Sequence, residues 1–207
     1  MMPTAEPRIY LASRSPRRRE LLKQACIAFD VLLLREDLRR GSDVDETPFP
    51  GEAAADYALR IARAKAEVGC RQIVMRSMPL RPVLAADTTV VLDEEIMGKP
   101  RDARHAEELL ARLSGRTHRV ITAVAVASQD DLETAVSISE VEFRKIEPAE
   151  IRRYVETGEP LDKAGAYAIQ GRAATFISAM TGSYSGIMGL PLYETAQLLR
   201  RYLIMPV

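Results

Sequence analysis

The chain reads as an α/β protein of the mixed α+β kind, and three features carry that reading. Strand-like and helix-like segments intermingle along all 207 residues. Two stretches, 83–92 (VLAADTTVVL) and 119–127 (RVITAVAVA), are near-continuous apolar and β-branched runs, the composition of strands covered on both faces. Around them lie amphipathic stretches with apolar residues at helical spacing, as in Ala54, Tyr57, Ala58, Ile61 and Ala62.

The elements follow in order. Residues 8–13 (RIYLAS) form a short buried strand, and Ser15-Pro16 starts a helix with Ser as N-cap and Pro at the first helical position. Leu21, Leu22 and Ala25 supply that helix's apolar stripe. The charged stretch from Arg35 to Pro50 reads as loop. A second helix runs from Glu52 to about Val68. Asp102 caps a third, whose stripe is Ala106, Leu109, Leu110 and Leu113 and whose stop is Gly115. Residues 135–146 are strand-like, but apolar parity slips between Ile138 and Val141, so a bulge or bend is expected there. Pro148 opens a helix with Ile151, Tyr154 and Val155 inward, closed by Gly158. The glycine-rich stretch 159–191 holds a short strand near Thr175–Met180. Pro191 starts a last helix that packs through Leu192, Ala196, Leu199 and Leu203. No repeat, low-complexity tract or linker divides the chain, so a single compact unit over 1–207 is expected.

Lys plus Arg and Asp plus Glu are 29 each, which argues against a protein that coats nucleic acid through a basic excess. Hydrophobic residues make up 47%, enough for a core without disulfides. Cys26 follows an apolar helical pattern and reads as a small core residue; neither it nor Cys70 has metal-ligand spacing, and His105 and His118 stand beside no cysteine cluster. There is no apolar run of membrane-spanning length, and MMPTAEPRIY lacks the apolar segment of a signal peptide, so a cytoplasmic location without membrane contact is expected.

Six segments carry candidate chemistry. In SRSPRRRELL (13–22), three arginines occupy a first helical turn, where the dipole disfavours cations by up to ~1 kcal/mol each. They make a solvated basic face, or a polyphosphate site in which guanidinium forks and free backbone N–H groups act together. Asp87 sits inside an apolar strand with Ala85, Thr89 and Val91 on its face; an unpaired buried carboxylate costs several kcal/mol and needs a cation, a metal or a proton. It either caps a loop at the strand's end or activates water. Lys65, four residues after Ile61, lies on the apolar stripe of its helix and either snorkels to the edge or enters a site. GKPRD (98–102) holds Lys99 in a tight turn. SDVDET (42–47) offers Asp43, Asp45 and Glu46 to a hard cation such as Mg²⁺, or is a solubilising loop. DKAGAYAIQG (162–171) lets backbone approach a ligand closely, or is a structural turn.

Taken together, LASRSPRRRELL, IARAKA, LAADTTVVLDEEIMGKPRD, LSGRTHRVITAV, GEPLDKAGAYAIQG and GSYSGIMGLPLYET resemble the Maf family of nucleotide pyrophosphatases, in order across residues 8–203. The resemblance implies an elongated twisted mixed sheet flanked by helices, with two lobes and a central cleft, similar to inosine-triphosphate pyrophosphatases. It further implies metal-dependent cleavage, with Mg²⁺ or Mn²⁺, between the α- and β-phosphates of a nucleoside triphosphate. Asp87 matches the proton acceptor, Lys65 and Lys99 the active-site lysines, and Glu46 a metal-site position shared with Asp87. Arg17 and Arg18 match the arginines of the first loop, which Ser13 and Ser15 also line. Arg17, Thr88 and Gln170 match the subgroup acting on dTTP and UTP. The Gln170 amide offers the donor and acceptor that a uracil or thymine edge requires, where the 7-methyl-GTP subgroup has Glu. Homodimerisation is also implied. The stretch VMRSMPLRP (74–82) departs from the pattern and reads as a lengthened surface connection. Two alternatives stand beside the dTTP and UTP activity: the same chemistry on 7-methyl-GTP or other modified nucleotides, and a nucleotide-binding regulator of cell division that does not cleave, which would need the arginine loop but not the carboxylates.

Overall fold

The computed structural model describes residues 7–37 and 41–204. The chain opens with strand β1 (Ile9–Leu11), helix α1 (Pro16–Gln24), strand β2 (Phe29–Val31) and a small hairpin of β3 (Glu36–Asp37) and β4 (Gly41–Ser42). Helix α2 (Ala54–Met75) leads to β5 (Val83–Leu92), β6 (Glu95–Met97), α3 (Ala103–Leu113), β7 (Thr117–Ala127) and β8 (Leu132–Phe143). After α4 (Pro148–Glu156) come three short 3₁₀ turns, then β9 (Ile177–Thr181), α5 (Tyr184–Met188) and α6 (Leu192–Arg200).

One mixed sheet runs in the order β2-β1-β5-β7-β8-β9, with β6 attached to β5. The β2-β1-β5 pairs are parallel and the rest antiparallel. Strand alternation on β5 sends Val83, Ala85 and Val91 toward α2, where they pack with Ile61, Ala62, Ala66 and Ala123. Leu84, Ala86 and Val90 face the opposite side and join Leu22, Leu110, Val124, Phe143, Ile151 and Leu199. Burial on both faces is the reason β5 and β7 are nearly uninterrupted apolar runs.

Local signals act where the sequence places them. The Ser15 side chain caps α1 and Pro16 opens it; Asp102 caps α3, accepting from the His105 N–H at 2.8 Å. Gly115 and Gly158 take the left-handed backbone (φ 70° and 74°) that ends α3 and α4.

Several expectations are corrected. Helix α2 continues past Val68 to Met75, so the first two residues of VMRSMPLRP are helical and only the remainder is connection. No bulge lies between Ile138 and Val141: β8 pairs with β7 without interruption from Leu132 to Glu142, and the irregularity falls between Glu142 and Phe143, opposite β9. Parity slips because Ser137 and Ser139 face inward while Ile138 is 53% exposed. The Ser139 hydroxyl accepts from the Ser183 N–H at 2.9 Å, just before α5, so Ser139 is satisfied rather than misplaced on that face. Cys26 is exposed, in a left-handed conformation two residues beyond Gln24 at the end of α1 (φ 53°), and is not a core residue. Leu203 is 83% exposed and does not pack; Leu192 and Leu199 do, and Thr195 and Leu198 complete the buried face of the last helix.

Candidate active site

The sheet has a gap where the candidate chemistry collects. β1 holds β5 only at Val83 and Leu84, and β6 holds it only from Val90 to Leu92. The edge from Ala85 to Thr89 is therefore open, and a cleft of about 970 Å³ lies against it. Alternation along that edge delivers Asp87 to the α2 wall and Thr88 to the α1 wall.

On the α2 wall the Lys65 ammonium stands 2.8 Å from Asp87 Oδ1 and 2.8 Å from Glu46 Oε1. Asp87 is only 8% exposed, so its charge requires this cation. Lys65 reaches it because the spacing from Ile61 puts the residue on the buried stripe of α2. The acidic loop is braced by two further residues. Tyr57 donates from its phenol to the Glu46 carbonyl at 3.0 Å. Burial, reinforced by the charges of Asp87 and Glu46, pushes the Tyr57 phenol up to about 12, which keeps it a donor. Arg60 forks onto Glu52 at 2.6 and 2.7 Å, donates to the Thr47 carbonyl at 3.0 Å and stacks on Phe49. Of the loop's acids, Asp43 turns away and accepts from Gln72 at 2.7 Å.

On the α1 wall Arg18 donates to the Gly189 carbonyl (2.7 Å), the Ser13 hydroxyl (3.2 Å) and the Thr88 hydroxyl (3.2 Å). All three acceptors are uncharged, so the guanidinium keeps its positive charge unneutralised beside the cleft. Burial lowers its pKa and the nearby Asp87 partly offsets that, but a guanidinium remains protonated. Thr88 shares a further hydrogen bond with Thr122 (3.0 Å), whose hydroxyl reaches the Gly186 carbonyl at 2.8 Å. The chain Arg18–Thr88–Thr122–Gly186 thus ties α1, β5, β7 and α5 together. Arg17 and Lys99 line the same cleft, and neither has an ion-pair partner among the described residues.

The far wall is the segment 162–170. Lys163 pairs with the Asp162 carboxylate and donates to the Glu159 carbonyl at 2.8 Å. Gln170 is exposed and lines the cleft.

Of the residues nominated from the sequence, Ser13, Ser15, Arg17 and Arg18 lie on one side of this cleft, Glu46, Lys65 and Asp87 on another, with Thr88, Lys99 and Gln170 between and across, while Arg19 and Asp43 lie off it. Tyr57, Thr122 and Gly189 were not nominated. Tyr57 was hidden because it fits the apolar stripe of α2, and Thr122 because it sits in a strand of β-branched residues. Gly189 carried a signal: it takes φ 117°, closed to most side chains, just before Pro191.

A family model described as Maf-like protein matches residues 8–202. Among curated relatives, the dTTP/UTP pyrophosphatase of Aromatoleum aromaticum is 57% identical over 202 residues, covering 97% of this chain and 98% of the relative. That of Nitrosomonas europaea is 58% identical over 191 residues, covering 92% of each. Among solved structures, the Ham1 protein of Staphylococcus aureus aligns at 16% identity with a TM-score of 0.49, over 95% of this chain and 97% of that one.

Proposed function

The chain belongs to the Maf-like protein family, and from that premise we propose that it hydrolyses dTTP and UTP to the nucleoside monophosphate and pyrophosphate. The observation that carries the reading is the convergence of the buried Asp87 with Arg18 and the free cations Arg17 and Lys99 on one cleft. House-cleaning of the nucleotide pool, in the cytoplasm, is the role this activity fits; among the described residues no helix is long and apolar enough to cross a membrane. The whole chain acts as one unit with two lobes, since the cleft draws on residues from Ala12 to Gly189. No nucleic acid takes part, and a second copy of the chain is the proposed protein partner.

Arg17, Arg18 and Lys99 neutralise the triphosphate as it lies across the first loop, whose backbone N–H groups add to the anion site. Asp87 accepts a proton from water as the water oxygen attacks the α-phosphorus. The bond from that phosphorus to the bridging oxygen breaks, and pyrophosphate leaves against the cations. Positioning and charge neutralisation supply most of the acceleration in such a transfer.

Glu46 and Asp87 fit a divalent cation: their oxygens already converge on one positive charge, the Lys65 ammonium, and Mg²⁺ or Mn²⁺ takes one or two carboxylates together with substrate phosphate oxygens. When bound, such an ion polarises phosphoryl oxygens and lowers the pKa of water. Lys65 holds the two carboxylates in place and is free to turn to phosphate when they are engaged.

Gln170 reads the base through its amide, and Arg17 and Thr88 complete the pyrimidine preference. The test is a panel of triphosphates assayed for pyrophosphate with Mg²⁺, with Mn²⁺ and with chelator. Metal-dependent release, greatest from dTTP and UTP, is expected. Tight binding with no release under any condition would instead make the protein a non-cleaving nucleotide binder.

A further inference from the structure

Gly171, directly after Gln170, has no backbone need to be glycine: its φ of −99° and ψ of −159° are open to any residue. What excludes a side chain there is Glu159. A Cβ on Gly171 would meet Glu159 Oε1 at 2.1 Å and Cδ at 2.6 Å. The space is given to a carboxylate that accepts from the Arg172 N–H, at 3.1 Å through Oε1 and 3.3 Å through Oε2. Oε1 also accepts from the Tyr154 phenol at 3.0 Å. Burial and this contact push that phenol's pKa up, so it stays protonated and donates.

The same residue holds the other end of the segment. The Glu159 carbonyl accepts from Lys163 Nζ at 2.8 Å. Glu159 therefore closes the stretch 163–172 at both ends, one through its backbone and one through its side chain. Within the stretch, Tyr167 is fixed from behind by His118, 2% exposed, through a 2.8 Å hydrogen bond to its phenol. Gly165 (φ 66°) presses on Val90, leaving only 3.0 Å for a Cβ. Gln170 is the exception: its side chain is exposed on the cleft and makes no hydrogen bond among the described residues. A segment clamped everywhere except at its one ligand-facing amide has the design of a preorganised reader, since reading a base edge by hydrogen bonds requires the reader's position to be fixed before the base arrives.

We propose that Glu159 is the positioning residue for base selection, acting through the Arg172 N–H and the space beside Gly171 to set where Gln170 meets the nucleobase. The proposal rests on Gln170 as the base reader. Glu159 does not line the cleft, touches none of the residues proposed to bind phosphate, and has no part in the attack on phosphorus. Its loss thus acts on recognition and not on the chemical step.

The experiment compares Glu159→Ala, Glu159→Gln, Gly171→Ala and Gln170→Ala in the full-length protein, with kcat and KM measured for dTTP, UTP and dGTP and folding checked by circular dichroism. Glu159→Ala should raise KM for dTTP and UTP by about tenfold, leave kcat within about twofold, and shrink the ratio of kcat/KM for dTTP over dGTP. Gly171→Ala should do the same by a different route, since its Cβ displaces the carboxylate. Glu159→Gln should stay near the parent, because a carboxamide oxygen still accepts from Arg172 and Tyr154. An Ala variant that loses kcat equally on all three nucleotides, or keeps the parental ratio, would overturn the proposal. If Gln170→Ala also keeps that ratio, the fault lies in the reading of Gln170; if Gln170→Ala collapses it while Glu159→Ala does not, the fault lies with Glu159 alone.

Discussion

The Lys65 ammonium stands 2.8 Å from Asp87 Oδ1, and the same nitrogen is 2.8 Å from Glu46 Oε1. One resident cation thus occupies the meeting point of the two carboxylates proposed to hold a metal. Among the described residues no cluster of three His, Cys, Asp or Glu side chains exists to outbid it. The pair plus the lysine carries a net charge of −1, weak attraction for a hard dication that must shed water. Free protein should therefore bind Mn²⁺ poorly, and nucleotide should tighten the ion by adding phosphate oxygens and drawing Lys65 away. Removing the ammonium in Lys65→Met should tighten Mn²⁺ in the nucleotide-free protein by ~10-fold or more, since a unit charge about 4 Å away is worth a few kcal/mol at a protein surface. Titration followed by electron paramagnetic resonance measures it. Equal affinity in parent and variant would show that Lys65 does not compete with the ion.

Asp87→Asn keeps the shape of the side chain and an acceptor for Lys65, but removes the base. The variant should fold as the parent does, bind dTTP with little change in KM, and turn over ~10²-fold more slowly or worse. Steady-state kinetics on dTTP decides this, and a parental kcat would remove Asp87 from the chemistry.

The local elements were legible because their causes are local. Ser15 and Asp102 announce helix starts by the bonds their side chains make to backbone N–H groups, and the period from Ile61 to Lys65 places the lysine on a buried face. Asp87 stood out because an acid in an apolar strand demands a partner. The partner's identity was not legible, since Lys65 and Glu46 reach Asp87 from segments 22 and 41 residues away in the chain. Nor was the opening in the sheet, which arises because β1 and β6 are each three residues long and leave the middle of β5 unpaired. β6 itself was missed: the turn Asp93-Glu94 takes positive φ (52° and 65°) without the glycine that marks such hairpins. The inward Ser137 and Ser139 mimic a register slip until the start of α5 is seen above them.

Arg18 makes three directed hydrogen bonds from one planar fork, reaching Gly189, Ser13 and Thr88 at once. Lysine keeps the charge but cannot hold that geometry. Arg18→Lys should therefore raise KM for dTTP by about tenfold or more and lower Tm, because the buried Gly189 carbonyl loses a donor at ~1 kcal/mol or more and the half-buried Thr88 hydroxyl keeps only Thr122. Isothermal nucleotide titration and a thermal melt report the two effects. Parental values of both would mean that charge alone matters at this position.

Gln170→Glu replaces a donor-acceptor amide by an acceptor-only carboxylate. Because the side chain is exposed on the cleft, stability should hardly change. The kcat/KM for dTTP and UTP should fall by about tenfold or more, with purine triphosphates losing much less, as a reader left facing an unmatched base edge discriminates strongly. Competition assays with mixed nucleotides would show it, and an unchanged order of preference would take base reading away from Gln170.

The buried His118 gives a pH dependence of stability with a definite sign. Burial lowers its pKa from the ordinary 6.5 of a histidine to about 4, against a smaller opposing effect from the Arg116 backbone. The folded state therefore keeps the ring neutral where the unfolded chain takes up a proton. Between those two values the unfolded state binds more protons, so stability is full above about pH 6.5 and declines as pH falls toward 4. Linkage over that interval amounts to about 2 kcal/mol lost by pH 5. Glu52 and Glu150, each held down to about 2 mainly by an arginine, contribute in a lower window: their support is present above the ordinary carboxylate range and is lost as pH drops from about 4.5 through 2. The interval from pH 6.5 to 5 consequently isolates the histidine. His118→Gln, which can still bond the Tyr167 phenol, should be less stable at pH 7 yet show a markedly shallower decline between pH 6.5 and 5 in urea unfolding. Parallel slopes for parent and variant would mean that the ring is protonated in the folded protein, and that the Tyr167 contact holds an imidazolium rather than a neutral ring.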